Sequence, residues 1–210
     1  MVKILKVSAM RPEHSKISEA AEALREAKLV VYPTETVYGL AGDAKSDLAV
    51  AAVFEAKGKS FRDPVSVAVD SLEMAREVGR MTGVAENLFE RFLPGPLTLV
   101  VKARPSISTV LTAGTGTIGV RMPDNRVAIS LVNAFRGPIT STSANISGEP
   151  APKNAQEAAR QLGDSVSLVL DGGKCHHQVP STVIDATKRK PVMIREGPIT
   201  LSDVEEFLKI

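Results

Sequence analysis

The chain has 210 residues, of which 43% are hydrophobic, and its 26 basic and 24 acidic side chains nearly balance. No apolar run approaches the roughly 18 residues that span a bilayer, and the first residues lack a secretory signal pattern, so we expect no membrane association. A single cysteine suits a reducing cytoplasm, and 4% aromatic residues without tryptophan argue against a stacking platform for single-stranded bases.

Short apolar runs alternate with amphipathic helical patterns along the whole chain. In chain order, strands are predicted at residues 2–7, 29–32, 65–69, 97–101, 118–121, 138–140, 166–170, 182–185 and 192–194. Helices are predicted after Ser15 or Ser18, after Asp47 and Ser71, at residues 85–92, 126–135 and 154–162, and after Ser202. This alternation predicts an α/β fold, in one domain over residues 1–210, around a mostly internal sheet.

The first polar segment follows a short predicted strand and has the sequence PTETVYGL, beginning at Pro33. Polar residues at the strand ends of α/β sheets often bind ligands. Thr34 and Thr36 are therefore candidates to hydrogen-bond a small polar substrate. An ordinary turn with a satisfied buried tyrosine is an equally good interpretation of this segment on its own.

A basic cluster, AKGKSFRDP, ends the helix predicted after Asp47. Lys57 and Lys59 lie on either side of a glycine, and Arg62 follows them. Lysine binds phosphate as a point charge, and arginine can bind it with two parallel hydrogen bonds. Because cations at a helix C-terminus are also favoured by the helix dipole, the cluster indicates either phosphate binding or helix capping.

Three glycines, Gly114, Gly116 and Gly119, satisfy the spacing of a dinucleotide fingerprint, G-x-G-x-x-G. That fingerprint needs a strand before it and a helix after it, whereas here a β-branched strand and Pro123 follow, so we reject it. Arg121 stands at the end of this strand. We interpret it either as a fixed guanidinium for a carboxylate or phosphate, or as part of a surface ion pair.

Two further segments combine hydroxyl groups with strand ends: TSTSANISG at residues 140–148, and PSTVID at residues 180–185 with Arg195 downstream. The first is poor helix material, because its side chains compete for backbone hydrogen bonds. It is predicted to be a loop that offers donors to an anion, although a capped structural loop fits as well. The chain has no Walker A sequence that would hold ATP in the usual way.

Cys175, His176 and His177 are adjacent in the sequence and raise the question of a metal site. Three consecutive side chains do not converge easily on one tetrahedral ion, and no second cluster supplies partners at a usual spacing. We therefore expect no metal ion held by protein side chains and interpret the segment as a solvated turn.

Taken in order, the segments PTETVYGL, AKGK, LPGPLTLV, VRMP, TSANISGEP, PSTVID and REGP resemble the YrdC/Sua5 family, the threonylcarbamoyl-AMP synthases. The resemblance covers about residues 17–210. It implies a single YrdC-like domain with a twisted open mixed sheet, flanking helices and a concave, positively charged groove. It also implies the short form of the family, without the C-terminal domain of Sua5.

The resemblance further implies which residues bind the substrates. The residues implied to bind ATP are Lys57, Lys59, Thr117, Ser143, Asn145 and Arg195, of which Lys57, Lys59, Ser143 and Asn145 match the family pattern K-x-R…S-x-N. The residues implied to bind threonine are Thr34, Thr36, Arg121, Ser141 and Ser181. Lys59 replaces the family arginine, for which Arg62 is a candidate substitute, and Ala68 stands where many bacterial members have a histidine.

The implied reaction joins L-threonine, bicarbonate and ATP, as its Mg²⁺ complex, into threonylcarbamoyl-AMP and pyrophosphate. It is the first step in making N6-threonylcarbamoyladenosine at position 37 of tRNA, and threonylcarbamoyl transferase proteins are the downstream partners. Because charge develops on the phosphates, positioning and electrostatic stabilisation suffice, and we assign no nucleophile or general base.

Two other functions stay open on the sequence alone. A non-catalytic paralogue of the same fold would bind double-stranded RNA, tRNA or a nucleotide through a basic concave face. The residues at Lys59 and Ala68 keep this alternative open. A carbamoyl-transfer module, like the related domain of hydrogenase-maturation proteins, is a third interpretation, although that role requires carbamoyl phosphate and further domains.

Overall fold

The computed structural model describes residues 2–61, 63–105 and 107–209. Within these ranges the chain forms seven α-helices and twelve strands. The helices are α1 (His14–Arg25), α2 (Asp47–Lys57), α3 (Leu72–Val78), α4 (Gly83–Phe92), α5 (Arg126–Phe135), α6 (Ala155–Leu162) and α7 (Leu201–Leu208). None of these seven helices has both the length and the apolar character that crossing a bilayer requires.

The strands form two mixed sheets. They are β1 (Lys3–Lys6), β2 (Val30–Tyr32), β3 (Gly39–Ala41), β4 (Val67–Ala68), β5 (Gly79–Arg80), β6 (Leu97–Ala103), β7 (Thr117–Arg121), β8 (Ile139–Thr140), β9 (Thr142–Ser143), β10 (Leu168–Asp171), β11 (Thr182–Asp185) and β12 (Val192–Arg195). The first sheet has the strand order β1-β10-β2-β3-β9. The second has the order β12-β11-β6-β7-β4-β8, and β5 pairs with β6.

Helices cover both faces of the first sheet. One face packs against α1 and α5, where Leu24, Leu131 and Leu170 are fully buried. The other packs against α2 and α6 in a cluster that contains the fully buried Leu40 and Val53. Since β1, β10 and β2 are parallel, burial on both faces explains why β2 and β10 are almost continuous apolar runs.

The second sheet has one apolar face and one polar face. Leu99 of β6 packs in a cluster with Leu88 of α4 and Val204 of α7. Successive side chains of a strand point to opposite faces, so the alternate positions, which include Thr98 and Arg121, point away from these helices. That polar face is where the candidate site lies.

The predicted α/β class is confirmed, but the strands divide into two sheets where the sequence pattern predicted one. Strands β3, β5 and β9 are absent from the prediction, because each has only two or three residues and depends on tertiary pairing. The first helix begins at His14, before both serines predicted to cap it. The last is capped by Thr200 rather than Ser202, because Thr200 and Asp203 form a capping box.

Thr182 fixes the chain segment that follows β12. Its buried Oγ1 donates to the Ile199 carbonyl at 2.6 Å and accepts from the Gly197 and Ile199 N–H groups at 2.9 and 3.1 Å. Gly197 allows this approach, since a Cβ there would lie 2.5 Å from the Pro180 carbonyl oxygen. The contact keeps β12, with Arg195 at its end, against β11.

The Thr182→Val variant is expected to lose about 3 kcal/mol of unfolding free energy, because it leaves buried backbone donors and a carbonyl unpaired. Urea unfolding measures the loss. Thr187→Val is the matched control, because the Thr187 hydroxyl is partly exposed and makes no hydrogen bond within the described residues. A Thr182→Val variant as stable as the control would contradict this role.

Candidate functional site

A cavity of about 460 Å³ opens where the two sheets meet. Its lining includes nine of the eleven residues predicted from the sequence: Thr34, Lys57, Lys59, Arg121, Ser141, Ser143, Asn145, Ser181 and Arg195. The two others, Thr36 and Thr117, do not line it. The structure therefore brings together segments that are far apart in the chain.

The hydroxyl-rich segment predicted to be a loop crosses from one sheet to the other, since β8 belongs to the second sheet and β9 to the first. The Thr140 hydroxyl fixes the crossing: it donates to the Leu40 carbonyl and accepts from the Gly42 N–H, both at 2.9 Å. At the crossing point, the Ser141 N–H donates to the Ser66 carbonyl at 2.7 Å. The hydroxyl groups thus build the junction as well as the cavity wall.

Lys57, the last residue of α2, is a cation that is only 2% exposed. Its Nζ donates to the Ser143 carbonyl and, at 2.7 Å, to the Asn145 carbonyl. The Asn145 amide donates to the carbonyls of Ile146 and Glu149 at 2.9 and 2.8 Å. Lys57 and Asn145 therefore shape the turn after β9, and most of their donors already have protein partners.

Lys59 follows the glycine that ends α2 in the left-handed conformation, with a φ of 55° at Gly58. The Lys59 Nζ lies 3.7 Å from the Asp63 carboxylate, and its side chain is partly exposed at the cavity. Burial, and then the charge of Lys59, lower the pKa of Lys57 to about 8. Two cations thus approach the same part of the cavity, while Arg62 lies outside the described residues.

Arg121 lies at the end of β7 and forms a buried ion pair, not the surface pair weighed from the sequence. Its Nη2 donates to Glu35 Oε1 at 2.5 Å, and the two side chains are 7% and 6% exposed. Its Nη1 and Nη2 also donate to Thr36 Oγ1, at 3.2 and 3.3 Å. Arg121 Nε and Glu35 Oε2 have no hydrogen-bond partner among the described residues. Thr36 therefore contacts the Arg121 guanidinium and does not line the cavity.

The PTETVYGL segment is held by its own hydrogen bonds. Thr34 Oγ1 donates to the Val37 carbonyl at 2.7 Å and accepts from the Thr36 N–H at 3.1 Å. The Tyr38 hydroxyl donates to the Gly173 carbonyl at 2.6 Å, which attaches the segment to the chain after β10. These contacts give Thr34 a fixed place in the cavity wall.

Ser181 and Arg195 also line the cavity and contact each other. Arg195 Nε and Nη2 donate to the Ser181 carbonyl at 3.0 and 2.8 Å, and the Ser181 hydroxyl lies 2.8 Å from Thr98 Oγ1. Partial burial, and then the charge of Arg121, lower the pKa of Arg195. Two guanidinium groups that interact across a cavity favour a bound anion.

Thr117 begins β7, the strand that ends at Arg121. The two residues are four positions apart, so they share a face and lie ~13 Å apart along the strand. Gly119 lies between them, and a Cβ there would lie 2.3 Å from Ser66 Oγ. The glycine of the rejected dinucleotide pattern therefore permits close packing of β7 against Ser66.

Sequence reasoning missed Glu35, Tyr32, Ser66 and Thr98 as parts of the site. Glu35 had a usable signal: it is an ionisable residue between two selected threonines, three positions after a buried strand, and a buried charge needs a partner. The Tyr32 hydroxyl donates to Ser141 Oγ at 3.2 Å. Such contacts depend on sheet pairing and have no local sequence pattern.

The Lys57→Met variant is expected to change how stability depends on pH. In the folded chain the pKa of Lys57 is about 8, below its ordinary value of 10.5, so above pH 8 the unfolded chain binds more protons. Wild-type stability should therefore gain about 2–3 kcal/mol relative to the variant between pH 8 and 10. Urea unfolding across this range measures it. Parallel pH profiles for the two proteins would contradict the buried cation.

A comparison with protein families gives one match over most of the chain. The Sua5/YciO/YrdC model, described as Telomere recombination, matches residues 22–197. A threonylcarbamoyl-AMP synthase from Pyrococcus abyssi is 40% identical over 199 residues, which are 94% of this chain and 58% of that protein. The chain thus spans less than two thirds of the length of this relative.

Solved structures show the same fold. The crystal structure of P. abyssi Sua5 complexed with L-threonine superposes with a TM-score of 0.94 at 40% identity, over 98% of this chain and 60% of that one. Escherichia coli YciO superposes with a TM-score of 0.89 at 26% identity, over 97% of this chain and 100% of that one. The chain therefore belongs to the Sua5/YciO/YrdC family.

Proposed function

We propose that this chain is a threonylcarbamoyl-AMP synthase, which forms threonylcarbamoyl-AMP and pyrophosphate from L-threonine, bicarbonate and ATP. One observation carries the proposal: a single cavity is lined by the fixed guanidinium of Arg121 and by three further cations, Lys57, Lys59 and Arg195. An amino acid carboxylate and a triphosphate that bind side by side need several such cationic donors in one cavity. The named relatives support the same reaction.

Threonine would lie on the Arg121 side of the cavity. Arg121 lines the cavity, and Glu35 and Thr36 fix its guanidinium, which would donate to the α-carboxylate. Thr34, Ser141 and Ser181 bring hydroxyl groups to the same cavity. Thr36, behind Arg121, contributes by supporting the guanidinium rather than by touching the substrate.

ATP would lie along the cations and the polar face of the second sheet. Lys59 and Arg195 supply positive charge for the phosphates, and Ser143 supplies a hydroxyl. Lys57 and Asn145 hold the turn that presents Ser143. The charge of Lys57 would add to the positive potential at the phosphates. Because Thr117 shares the face of Arg121 further along β7, a nucleotide extended along this strand would reach it.

The reaction needs positioned groups more than a reactive side chain. The threonine amine and bicarbonate give a carbamate and water, and a carbamate oxygen then attacks the α-phosphorus while the bond to pyrophosphate breaks. Lys59 and Arg195 would stabilise the charge that develops on the phosphates. Orienting the carbamate toward the phosphorus accounts for further acceleration.

Mg²⁺ would enter as part of the ATP complex. The cavity lining consists mainly of hydroxyls, amides and cations, and its Asp63 carboxylate already lies near Lys59. We therefore assign the ion to the phosphate oxygens and to water, and to no protein ligand. Bound there, it would neutralise part of the phosphate charge.

We further propose that residues 1–210 act as one YrdC-like unit, because the cavity is lined from Thr34 to Arg195. The product would pass to threonylcarbamoyl transferase proteins that modify tRNA, and the single cysteine suits action in the cytoplasm. The alternative of a non-catalytic RNA-binding paralogue is not favoured, because curated relatives of the chain, the P. abyssi protein among them, are named threonylcarbamoyl-AMP synthases.

Pyrophosphate release tests the proposed function. The purified chain is expected to release pyrophosphate from ATP only when both L-threonine and bicarbonate are present, because the attacking group is the carbamate that they form. Omitting either substrate, or replacing threonine by its methyl ester, should remove the signal. Pyrophosphate release that ignores threonine would contradict the proposal.

The Arg121→Lys variant is expected to bind threonine 10–100-fold more weakly while its affinity for ATP changes less than threefold, because lysine keeps the charge but loses the planar fork. Isothermal titration of each ligand measures the effect. Arg136→Lys, at the exposed end of α5, is the control and should match wild type. Equal losses for both ligands would contradict a specific carboxylate contact.

A further inference from the structure

We propose that Glu35 is a positioning residue that orients the Arg121 guanidinium for the threonine carboxylate. The proposal rests on the proposed function of the cavity. Glu35 does not itself line the cavity, whereas Arg121 does. Glu35 would therefore act on the substrate through Arg121.

Hydrogen bonds to the PTETVYGL segment fix the plane of the guanidinium. Arginine carries five N–H donors in a rigid plane. Thr36 Oγ1 accepts from both terminal nitrogens, and Glu35 Oε1 accepts from Nη2 at 2.5 Å. Arg121 Nε has no partner among the described residues. Two neighbours of the same loop thus fix the plane of the guanidinium, and Arg121 itself lines the cavity.

A second reason for the pair is electrostatic. The Arg121 side chain is 7% exposed, and an isolated charge at that depth is strongly disfavoured. Glu35 balances the charge of the guanidinium, so the arginine stays ordered in the cavity wall. A threonine carboxylate then meets a donor whose rotamer freedom is already lost, which raises affinity.

The loop does not depend on the Glu35 carboxylate for its own conformation. Thr34 Oγ1 closes the turn through the Val37 carbonyl and the Thr36 N–H. The backbone of Glu35 is also anchored, since its carbonyl accepts from the His177 N–H at 2.8 Å. Removing the charge of Glu35 should therefore release Arg121 and leave the loop in place.

The test is the Glu35→Gln variant, which keeps the size of the side chain and removes its charge. The threonine KM in the pyrophosphate assay is expected to rise at least tenfold, while kcat and the ATP KM stay within twofold of wild type. The control is Glu206→Gln on the exposed side of α7, which should change none of these values. An unchanged threonine KM, or an equal rise in the ATP KM, would overturn the positioning role.

A double variant separates positioning from general support. In an Arg121→Lys background, Glu35→Gln is expected to change threonine affinity less than twofold, because Glu35 acts through the arginine. Additive effects would overturn the proposal.

If Glu35→Gln does not fold, Glu35→Asp replaces it: its shorter carboxylate should give the same threonine-selective rise in KM, and an unchanged KM would overturn the role. Wild type without threonine-dependent turnover would instead refute the proposed function itself.

Discussion

The buried contact of Arg121 with Glu35 and Thr36 joins the two halves of this molecule. Arg121 ends a strand of the second sheet, and its two partners lie between β2 and β3 of the first. The contact thus links the two sheets, and the cavity lies at their junction. Because the pair is almost fully buried, its charges depend on each other, and the site inherits a guanidinium with a defined orientation.

The TSTSANISG segment makes the second connection between the sheets. It passes from β8 to β9 at Ser141, and the Thr140 hydroxyl ties the crossing to the neighbouring strand β3. Lys57 then holds the turn that follows through the Ser143 and Asn145 carbonyls. The same short segment therefore connects the two sheets and forms part of the cavity wall. The proposed nucleotide site needs no Walker loop, because a buried lysine, Lys57, fixes the backbone that presents Ser143.

Much of the fold follows from the sequence, because apolar periodicity sets the longer elements: α5 has its predicted bounds, and β11 and β12 form the predicted terminal pair. The division into two sheets was not predictable, since it depends on pairing between two-residue strands. For the site, the polar segments together with the family resemblance identified residues that line one cavity. Apolar periodicity could not identify Glu35 as part of the site, because its role depends on Arg121, which is 86 positions away in the chain.

The central claim is that this cavity joins threonine, bicarbonate and ATP in one product. Mass spectrometry of the product made from ¹³C-bicarbonate, ATP and L-threonine tests it most directly, because the carbamate carbon must come from bicarbonate. The account predicts threonylcarbamoyl-AMP that is heavier by the mass of the label, in an amount equal to the pyrophosphate released. Unlabelled product, or AMP and pyrophosphate without a threonine adduct, would contradict it.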